Sequence, residues 1–195
     1  MAAETIKAKL PLVVIAGPTA SGKTSLAIRL AKQYNGEIIC ADSRTIYRDM
    51  DIGTAKPTMA EREAVPHWGL DLVSPGETFS AAQFKEYALQ KISEIRSRGR
   101  LPFLVGGTGL YIDAVIFDFQ FGAPPPTLRH ELEKRTVAEL QYYCSIHNIK
   151  LPENDKNKRH LIRAIEQKNK NNRYEFMIRD NNIVVGIATN KEILR

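Results

Sequence analysis

The sequence predicts an α/β fold in which a parallel sheet is flanked by helices and carries a small helical insertion. Three observations predict this fold. Apolar runs of strand length alternate with segments of helical periodicity, an order typical of parallel sheets joined by right-handed crossovers. A glycine-rich segment joins the first apolar run to the first helical segment. A proline run beyond the middle of the 195-residue chain is followed by a basic helical stretch.

Four apolar runs are predicted to be core strands: residues 10–16, 37–41, 101–105 and 183–188. Val and Ile dominate the first and the last run without polar alternation, so both are expected to be covered on both faces of the sheet. Helices are predicted over residues 24–34 and 80–98. The second helix begins with Ser80 and Gln83 at the spacing of a capping box, and Gly99 ends it.

The segment between the first strand and the first helix fits G-x-x-x-x-G-K-[ST], the P-loop pattern that cradles phosphate. Its residues are Gly17, Pro18, Thr19, Ala20, Ser21, Gly22, Lys23 and Thr24. The glycines let backbone N–H groups converge on phosphate oxygens, and the helix N-terminus adds a positive dipole end. Lys23 adds a point charge, and the Thr24 hydroxyl can join the ligand shell of Mg²⁺. The predicted fold is therefore P-loop NTPase-like, and its ligand a phosphate or pyrophosphate compound.

Two further strand ends carry polar or glycine-rich segments. Asp42 follows the second run, and it could hold Mg²⁺ through water, accept a proton from a nucleophile, or serve as a helix N-cap or turn residue. Residues 106–111 form a second glycine-rich turn, either a close backbone approach to a ligand or an ordinary strand-to-helix turn. Ligands in open α/β sheets bind outside the carboxyl ends of the strands, so these segments and the P-loop are expected to meet there.

The composition changes at residues 121–126, where three prolines predict a stiff hinge. We predict an α/β core of residues 1–120 and 174–195 and a basic helical insertion of residues 121–173. A helical pattern extends from residue 127 to about residue 167, with a second helix predicted over 158–168. One apolar face of this insertion would contain Leu128, Leu132, Val137, Leu140 and Tyr143.

The net charge is +6, and residues 150–173 alone contribute +5 of it. This segment predicts a nucleic-acid contact surface or, with equal weight, a solvated helix face. Cys40 and Cys144 match no zinc spacing and are expected to be buried, reduced thiols of a cytoplasmic protein. No apolar stretch reaches the roughly 18 residues of a membrane span, so no membrane partner is expected.

Six blocks, taken in order along the chain, resemble the tRNA dimethylallyltransferase family. They are the P-loop and residues 42–47 (DSRTIY), 50–57 (MDIGTAKP), 65–67 (VPH), 79–84 (FSAAQF) and 106–111 (GGTGLY). The resemblance covers nearly the whole chain, and the 50–57 block is far more specific than the P-loop. Members of this family transfer a dimethylallyl group from its pyrophosphate to N6 of the adenosine beside the anticodon. The resemblance therefore implies tRNA and dimethylallyl diphosphate as partners and Mg²⁺ as cofactor, for a protein expected to be a monomer.

The resemblance also implies roles for individual residues. The P-loop would hold the pyrophosphate of dimethylallyl diphosphate rather than the phosphates of ATP, with Lys23 and Thr24 in the catalytic set and Thr24 beside Mg²⁺. Asp42 would accept the proton from the adenine amine. Contacts to tRNA would come from Asp42, Ser43, Arg44, Thr45, Thr108, Arg129, Arg159, His160 and Arg163. Because the target base lies in the anticodon loop, it must leave its stack to reach a deep channel.

Three departures from the family pattern keep other functions open. Arg44 and Thr45 stand where the family usually has a glutamine at one position, His160 stands where an arginine is common, and family members continue beyond the position of Arg195. The alternatives are an adenylate isopentenyltransferase acting on a free nucleotide, a P-loop kinase of small molecules, and a catalytically reduced RNA-binding homologue. The kinase explains neither the 50–57 block nor the basic insertion, and the basic segment argues against the free-nucleotide enzyme without excluding it.

Overall fold

The computed structural model describes residues 10–121, 126–167, 178 and 181–188. By its internal contacts the chain divides into two compact units, residues 1–119 with 175–195, and residues 120–174. Part of the proline run predicted to be a hinge, residues 122–125, lies outside the described residues, as do the basic residues Lys168, Lys170 and Arg173.

The described part of the first unit contains a five-stranded, wholly parallel sheet with the strand order β3-β2-β4-β1-β5. Its strands are β1 (Leu12–Ala16), β2 (Gly36–Cys40), β3 (His67–Trp68), β4 (Leu101–Gly106) and β5 (Asn182–Gly186). The sheet confirms the predicted α/β class and the four predicted strands. Strand β3 was not predicted, because two residues are too few to show a periodicity.

Within residues 10–121, four helices connect or flank these strands: α1 (Lys23–Gln33), α2 (Met59–Ala64), α3 (Ala81–Ser97) and α4 (Gly109–Ile116). The predicted capping box is confirmed, because the Ser80 hydroxyl accepts from the backbone N–H of Gln83 while the Gln83 side chain accepts from that of Ser80. Helix α2 has a second capping box, made by Thr58 and Glu61. Neither α2 nor α4 was predicted.

Successive residues of β1 enter two separate apolar cores, one on each face of the sheet. Val14 belongs to the core that contains Phe84 and Ile92 of α3. Ile15 belongs to the core that contains Ala27 and Ala31 of α1. The two-residue period of a strand produces this alternation, and helices on both faces explain why β1 is apolar throughout.

The prediction that the last strand is covered on both faces is wrong. Strand β5 lies at the edge of the sheet beside β1, and Ile183 and Val184 are 51% and 44% exposed. An unbroken apolar run reports the hydrophobicity of a strand, but it does not report whether the strand lies at the centre or the edge of its sheet.

The described part of the second unit contains three helices: α5 (Pro126–Lys134), α6 (Val137–Ile146) and α7 (Lys158–Gln167). Their shared core confirms the predicted apolar face, with Leu132 and Leu140 buried against Leu161 and Ile165 of α7. A third capping box, from Thr136 to Glu139, starts α6 and interrupts the continuous helical pattern that was predicted. Lys168, the predicted last residue of the second helix, lies outside the described residues.

Both cysteines are buried free thiols, as predicted. Burial raises the pKa of the Cys40 thiol to about 12, so this group is not a nucleophile at neutral pH. Among the described residues, no helix combines the length and the apolar character that crossing a membrane requires.

Candidate active site at the carboxyl edge of the sheet

The three strand-end segments singled out in the sequence meet at one cavity of about 690 Å³. Its walls include the P-loop, residues 42–45 and residues 105–108. A cavity of this size is typical of small-molecule sites. The expected meeting of these segments outside the carboxyl ends of the strands is therefore confirmed.

The P-loop has the backbone shape that an anion site requires. Gly22, the residue before α1, has φ of +79°, and Ala20 has φ of +64°, so both lie in the left-handed region. Glycine adopts this region without strain, whereas alanine does so at some cost. Helix α1 then begins at Lys23, and its first N–H groups have no partner within the helix. These groups and the helix dipole suit the anion site that the sequence predicts, and the binding of an anion there stays a prediction.

Lys23 lies folded back over this loop, where its Nζ donates a hydrogen bond to the Pro18 carbonyl at 2.9 Å. Burial lowers the pKa of Lys23, and the negative charge of Asp42 opposes that shift. The ammonium is therefore partly desolvated, which strengthens its attraction for an anion. The Ser21 hydroxyl in the same loop is buried, and the described structure provides no hydrogen-bond partner for it. A phosphate oxygen would satisfy that hydroxyl.

Two glycines bring the second glycine-rich turn close to its neighbours. A Cβ on Gly106 would lie 2.0 Å from the Ala41 carbonyl oxygen, so no other residue fits there. A Cβ on Gly107 would lie 3.3 Å from the Gly17 carbonyl oxygen and 3.8 Å from Lys23 Nζ. This turn is therefore a strand-to-helix connection whose backbone also lies close to the P-loop, and its approach to a ligand stays a prediction.

Asp42 is half-buried and lines the cavity. Its Oδ1 accepts a hydrogen bond from the backbone N–H of Arg44 at 2.8 Å, so it is also the turn residue that the sequence allowed. This bond holds the carboxylate in one orientation. A held carboxylate on the wall of a cavity can act as a general base.

The other residues of this turn support one another. The backbone N–H of Ser43 donates to Thr108 Oγ1 at 2.9 Å, and the two hydroxyls lie 3.3 Å apart. Thr45 is only 3% exposed, and its hydroxyl points to the Asp42 carbonyl at 3.4 Å. Ser43 and Arg44 are exposed, so they are more accessible to a large substrate than Thr45. The tRNA contacts predicted for Asp42, Ser43, Arg44, Thr45 and Thr108 stay predictions.

The cavity also includes residues that the sequence interpretation left without a role. Residues 53–55 form part of its wall, and so does His67. His67 Nδ1 lies 2.7 Å from the Val65 carbonyl, which can only accept, so the proton belongs on Nδ1. Burial lowers the pKa of His67, so Nε2 is an acceptor at neutral pH. The only signal for these residues was their place in the MDIGTAKP and VPH blocks.

The remaining predicted contact residues lie in the second unit. Arg159, His160 and Arg163 are exposed on α7, which buries Leu161 and Ile165 on its other side. This arrangement fits a nucleic-acid surface and a solvated helix face alike, so the alternative left open by the sequence stays open.

Arg129 is the fourth residue of this unit predicted to contact tRNA, and its guanidinium already interacts with two carboxylates of the protein. Its Nε donates to Glu133 at 3.1 Å, and its Nη1 lies 3.5 Å from Glu166 Oε1. We therefore expect Arg129 to attract a phosphate less strongly than the α7 arginines do.

Comparison with known proteins agrees with these motifs. Residues 45–191 match the model of the IPP transferase family. The chain is 52% identical over 168 residues to the tRNA dimethylallyltransferase of Roseiflexus sp. strain RS-1, across 80% of this chain and 54% of the relative. The chain spans about half the length of the curated relatives it matches.

Solved structures give the same result. The tRNA Δ2-isopentenylpyrophosphate transferase of Staphylococcus epidermidis superposes with a TM-score of 0.64 at 36% identity, covering 95% of this chain and 66% of that one. A eukaryotic dimethylallyltransferase acting on tRNA gives a TM-score of 0.80 at 25% identity, covering 95% and 50%. The family model matches most of the length of this chain, so the chain belongs to the IPP transferase family.

Proposed function

We propose that this chain transfers a dimethylallyl group from dimethylallyl diphosphate to N6 of the adenosine beside the anticodon in tRNA. One observation carries the proposal: the P-loop and a carboxylate held in one orientation line the same cavity. The relatives that the chain matches are named for this activity.

The P-loop would bind the pyrophosphate of the donor. The N–H groups at the start of α1, the Lys23 ammonium and the Ser21 hydroxyl would contact its oxygens. These contacts strengthen as negative charge develops on the leaving pyrophosphate, so they favour the transition state over the bound donor.

Mg²⁺ would bind at this site together with the substrate, held jointly by protein and pyrophosphate oxygens. The Thr24 hydroxyl lines the cavity, and the described residues contain no group of three or more His, Cys, Asp or Glu side chains that could hold a metal. Mg²⁺ is commonly held by few protein oxygens together with substrate phosphates, which is what such a site offers. When bound, the ion would neutralise charge on the pyrophosphate. Thr24 would hold it, with Asp42 able to contribute through water.

Asp42 would act on the acceptor. The N6 nitrogen of adenine forms a bond to the first carbon of the dimethylallyl group while the bond from that carbon to the pyrophosphate oxygen breaks. The proton lost by N6 passes to the Asp42 carboxylate, and the pyrophosphate leaves with the bonding electron pair. An exocyclic amine is a weak nucleophile, so a nearby carboxylate lowers the barrier.

The exposed basic residues of α7 would bind the tRNA backbone. Such contacts orient the RNA without reading its bases, because phosphates are the same at every nucleotide. The identity of the base would be read inside the cavity, after the adenosine has left its stack.

The test compares labelled dimethylallyl transfer to three acceptors: tRNA, tRNA whose adenosine beside the anticodon is replaced by guanosine, and free AMP. A parallel reaction measures phosphate transfer from ATP to nucleosides. Label on the adenosine tRNA alone is the expected result. Transfer to AMP instead would favour the free-nucleotide enzyme, phosphate transfer would favour a kinase, and tRNA binding without transfer would favour an RNA-binding homologue.

A further inference from the structure

A buried ammonium group lies next to the cavity, within the MDIGTAKP block. The Lys56 side chain is 1% exposed. Its Nζ donates to the Tyr47 carbonyl at 2.8 Å, to Asp51 Oδ1 at 2.7 Å and to Asp71 Oδ1 at 2.8 Å. An ammonium has three donors, so all of them are used. Lys56 therefore has no hydrogen-bond donor left for a substrate.

The charges around Lys56 are balanced by a second cation. Arg62 Nη1 lies 3.1 Å from Asp71 Oδ2, and Arg62 Nε donates to the Pro57 carbonyl at 2.9 Å. Burial would lower the pKa of Lys56, but the hydrogen bonds and charges of Asp51 and Asp71 outweigh it and raise that pKa. Two cations thus meet two carboxylates, which offsets the cost of removing Lys56 from water.

These contacts close a loop whose tip forms part of the cavity wall. Between Asp51 and Lys56, residues 53–55 line the cavity. Gly53 has φ of +75°, which glycine adopts freely, but Ala55 has φ of +54°, a left-handed conformation that residues other than glycine seldom adopt. The Lys56 ammonium binds both ends of this loop to Asp71, which follows β3. It therefore holds the loop in a conformation that local preference alone does not favour.

The strand order determines which side of the cavity this loop forms. The P-loop follows β1, whereas the loop of residues 50–57 follows β2 and is tied to the segment after β3. Strand β4 lies between β1 and β2, so these two strands are about 10 Å apart. The wall formed by residues 53–55 therefore follows the same strand as Asp42, whereas the P-loop follows β1.

We propose that Lys56 is a positioning residue for the acceptor nucleotide: it holds residues 53–55 as the wall against which the extruded base is placed beside Asp42. This inference rests on the proposed function. It predicts that loss of Lys56 harms use of tRNA while leaving donor binding intact, because the anion site on β1 has its own supports.

The test uses Lys56→Met and a matched control, Lys85→Met, in the full chain. Lys85 is also largely buried, at 14% exposed, and its Nζ donates to the Phe119 carbonyl and pairs with Asp118. Neither partner lies on the cavity wall. Both variants lose a nearly buried ammonium, but only Lys56→Met releases the loop. Steady-state transfer to tRNA and calorimetric binding of dimethylallyl diphosphate are measured for each variant.

For Lys56→Met, kcat/KM for tRNA should fall about 10- to 100-fold, the usual cost of a misplaced reactant. The dissociation constant for dimethylallyl diphosphate should stay within about twofold of the wild type. An unchanged kcat/KM, or an equal loss of donor binding, would overturn the inference. A wild-type chain that transfers no dimethylallyl group would overturn the proposed function and the inference with it.

A second variant separates positioning from stability. In Lys56→Met the Asp51 carboxylate is left without a cation, while Asp71 keeps its pair with Arg62. In Lys56→Met/Asp51→Asn this unpaired charge is removed as well, so part of the lost thermal stability should return. The anchor between the loop and Asp71 is still missing, so the defect with tRNA should persist. Recovery of activity in step with stability would show a merely structural role and overturn the inference. This variant also serves if Lys56→Met does not fold.

Discussion

At the amino end of the sheet Glu37 is 2% exposed, and at the carboxyl end Lys56 is buried as deeply. Glu37 accepts hydrogen bonds from Trp68 Nε1 at 2.6 Å and from Arg98 at 2.8 and 3.1 Å, with Arg100 at 3.3 Å. Of these partners, Trp68 belongs to β3, and Arg98 and Arg100 lie just before β4. The partners of Lys56 instead come from loops, one of which forms a cavity wall through residues 53–55.

The difference shows that a buried, paired charge can serve two purposes. A buried charge must be paired, so each network forces its partners into one arrangement. At the amino end that arrangement joins β2 to β3 and to the segment before β4, and no residue of the network lines the cavity. At the carboxyl end it fixes a loop with left-handed residues beside Asp42. We therefore expect changes at the carboxyl end to alter activity and changes at the amino end to alter stability.

The largest effect is expected at the carboxyl end, for Asp42→Asn. The amide keeps the size of the side chain and its acceptor for the Arg44 N–H, but it cannot take the proton from N6. Turnover should fall about 10²- to 10⁴-fold, the usual contribution of a general base. Single-turnover transfer measures the chemical step. The control is Asp113→Asn, a half-buried aspartate that is not on the cavity wall. Surviving turnover with lost Mg²⁺ dependence would make Asp42 a metal ligand instead.

The next effect concerns the anion site, through Lys23→Ala. Charge-assisted contacts contribute roughly 1.5–3 kcal/mol each, so the affinity for dimethylallyl diphosphate should fall at least tenfold. Calorimetry with dimethylallyl diphosphate, and with inorganic pyrophosphate as a simpler probe, measures the loss. Lys32→Ala, in the last turn of the same helix, is the control. Equal affinity in mutant and wild type would remove the P-loop from the donor site.

At the amino end Glu37→Gln should lower stability and leave kinetics unchanged. Losing a buried hydrogen-bonded charge costs about 1–3 kcal/mol of unfolding free energy, measured by urea denaturation at neutral pH. Because no residue of this network lines the cavity, kcat and KM at a temperature well below melting should match the wild type. Altered kinetics would break the comparison between the two ends.

The Glu37→Gln variant also tests how the stability that Glu37 provides depends on pH. Burial would raise the pKa of Glu37, but hydrogen bonds from Arg98 and Trp68 and the charges of Arg98 and Arg100 lower it overall. A carboxyl whose pKa is lowered by folding stabilises the protein above its unfolded pKa of about 4.3, and this contribution is lost as pH falls through the folded value. The stability difference between wild type and Glu37→Gln should therefore be constant above about pH 5 and shrink below pH 4.

The smallest expected effect is at the basic face of α7. Lys158 Nζ donates to the Glu133 carbonyl at 2.6 Å, so Arg159 and Arg163 are the better phosphate ligands. The double variant Arg159→Ala/Arg163→Ala should flatten the salt dependence of tRNA binding by about one to two log units per log unit of salt. Filter binding across salt concentrations measures this slope, with Lys158→Ala as the comparison. An unchanged slope would leave α7 as a solvated face.

Local signals in the sequence were enough to predict the α/β class, the P-loop and the capping box at Ser80, because each depends on residues close together in the chain. Asp42 and the glycines after β4 could be placed at one edge of the sheet, since parallel strands bring their carboxyl ends together. The short β3 and helices α2 and α4 were missed, because short elements show no clear period.

Only the tertiary structure decided where strands lie and what buried charges contact. The apolar run of β5 predicted a covered strand, yet its position at the sheet edge leaves Ile183 half exposed. Lys56 and Asp71 are 15 residues apart, and nothing in their spacing indicates that they meet at 2.8 Å. Lateral order in a sheet and long-range ion pairing depend on how elements pack together, and packing is a property of the whole chain rather than of any one segment.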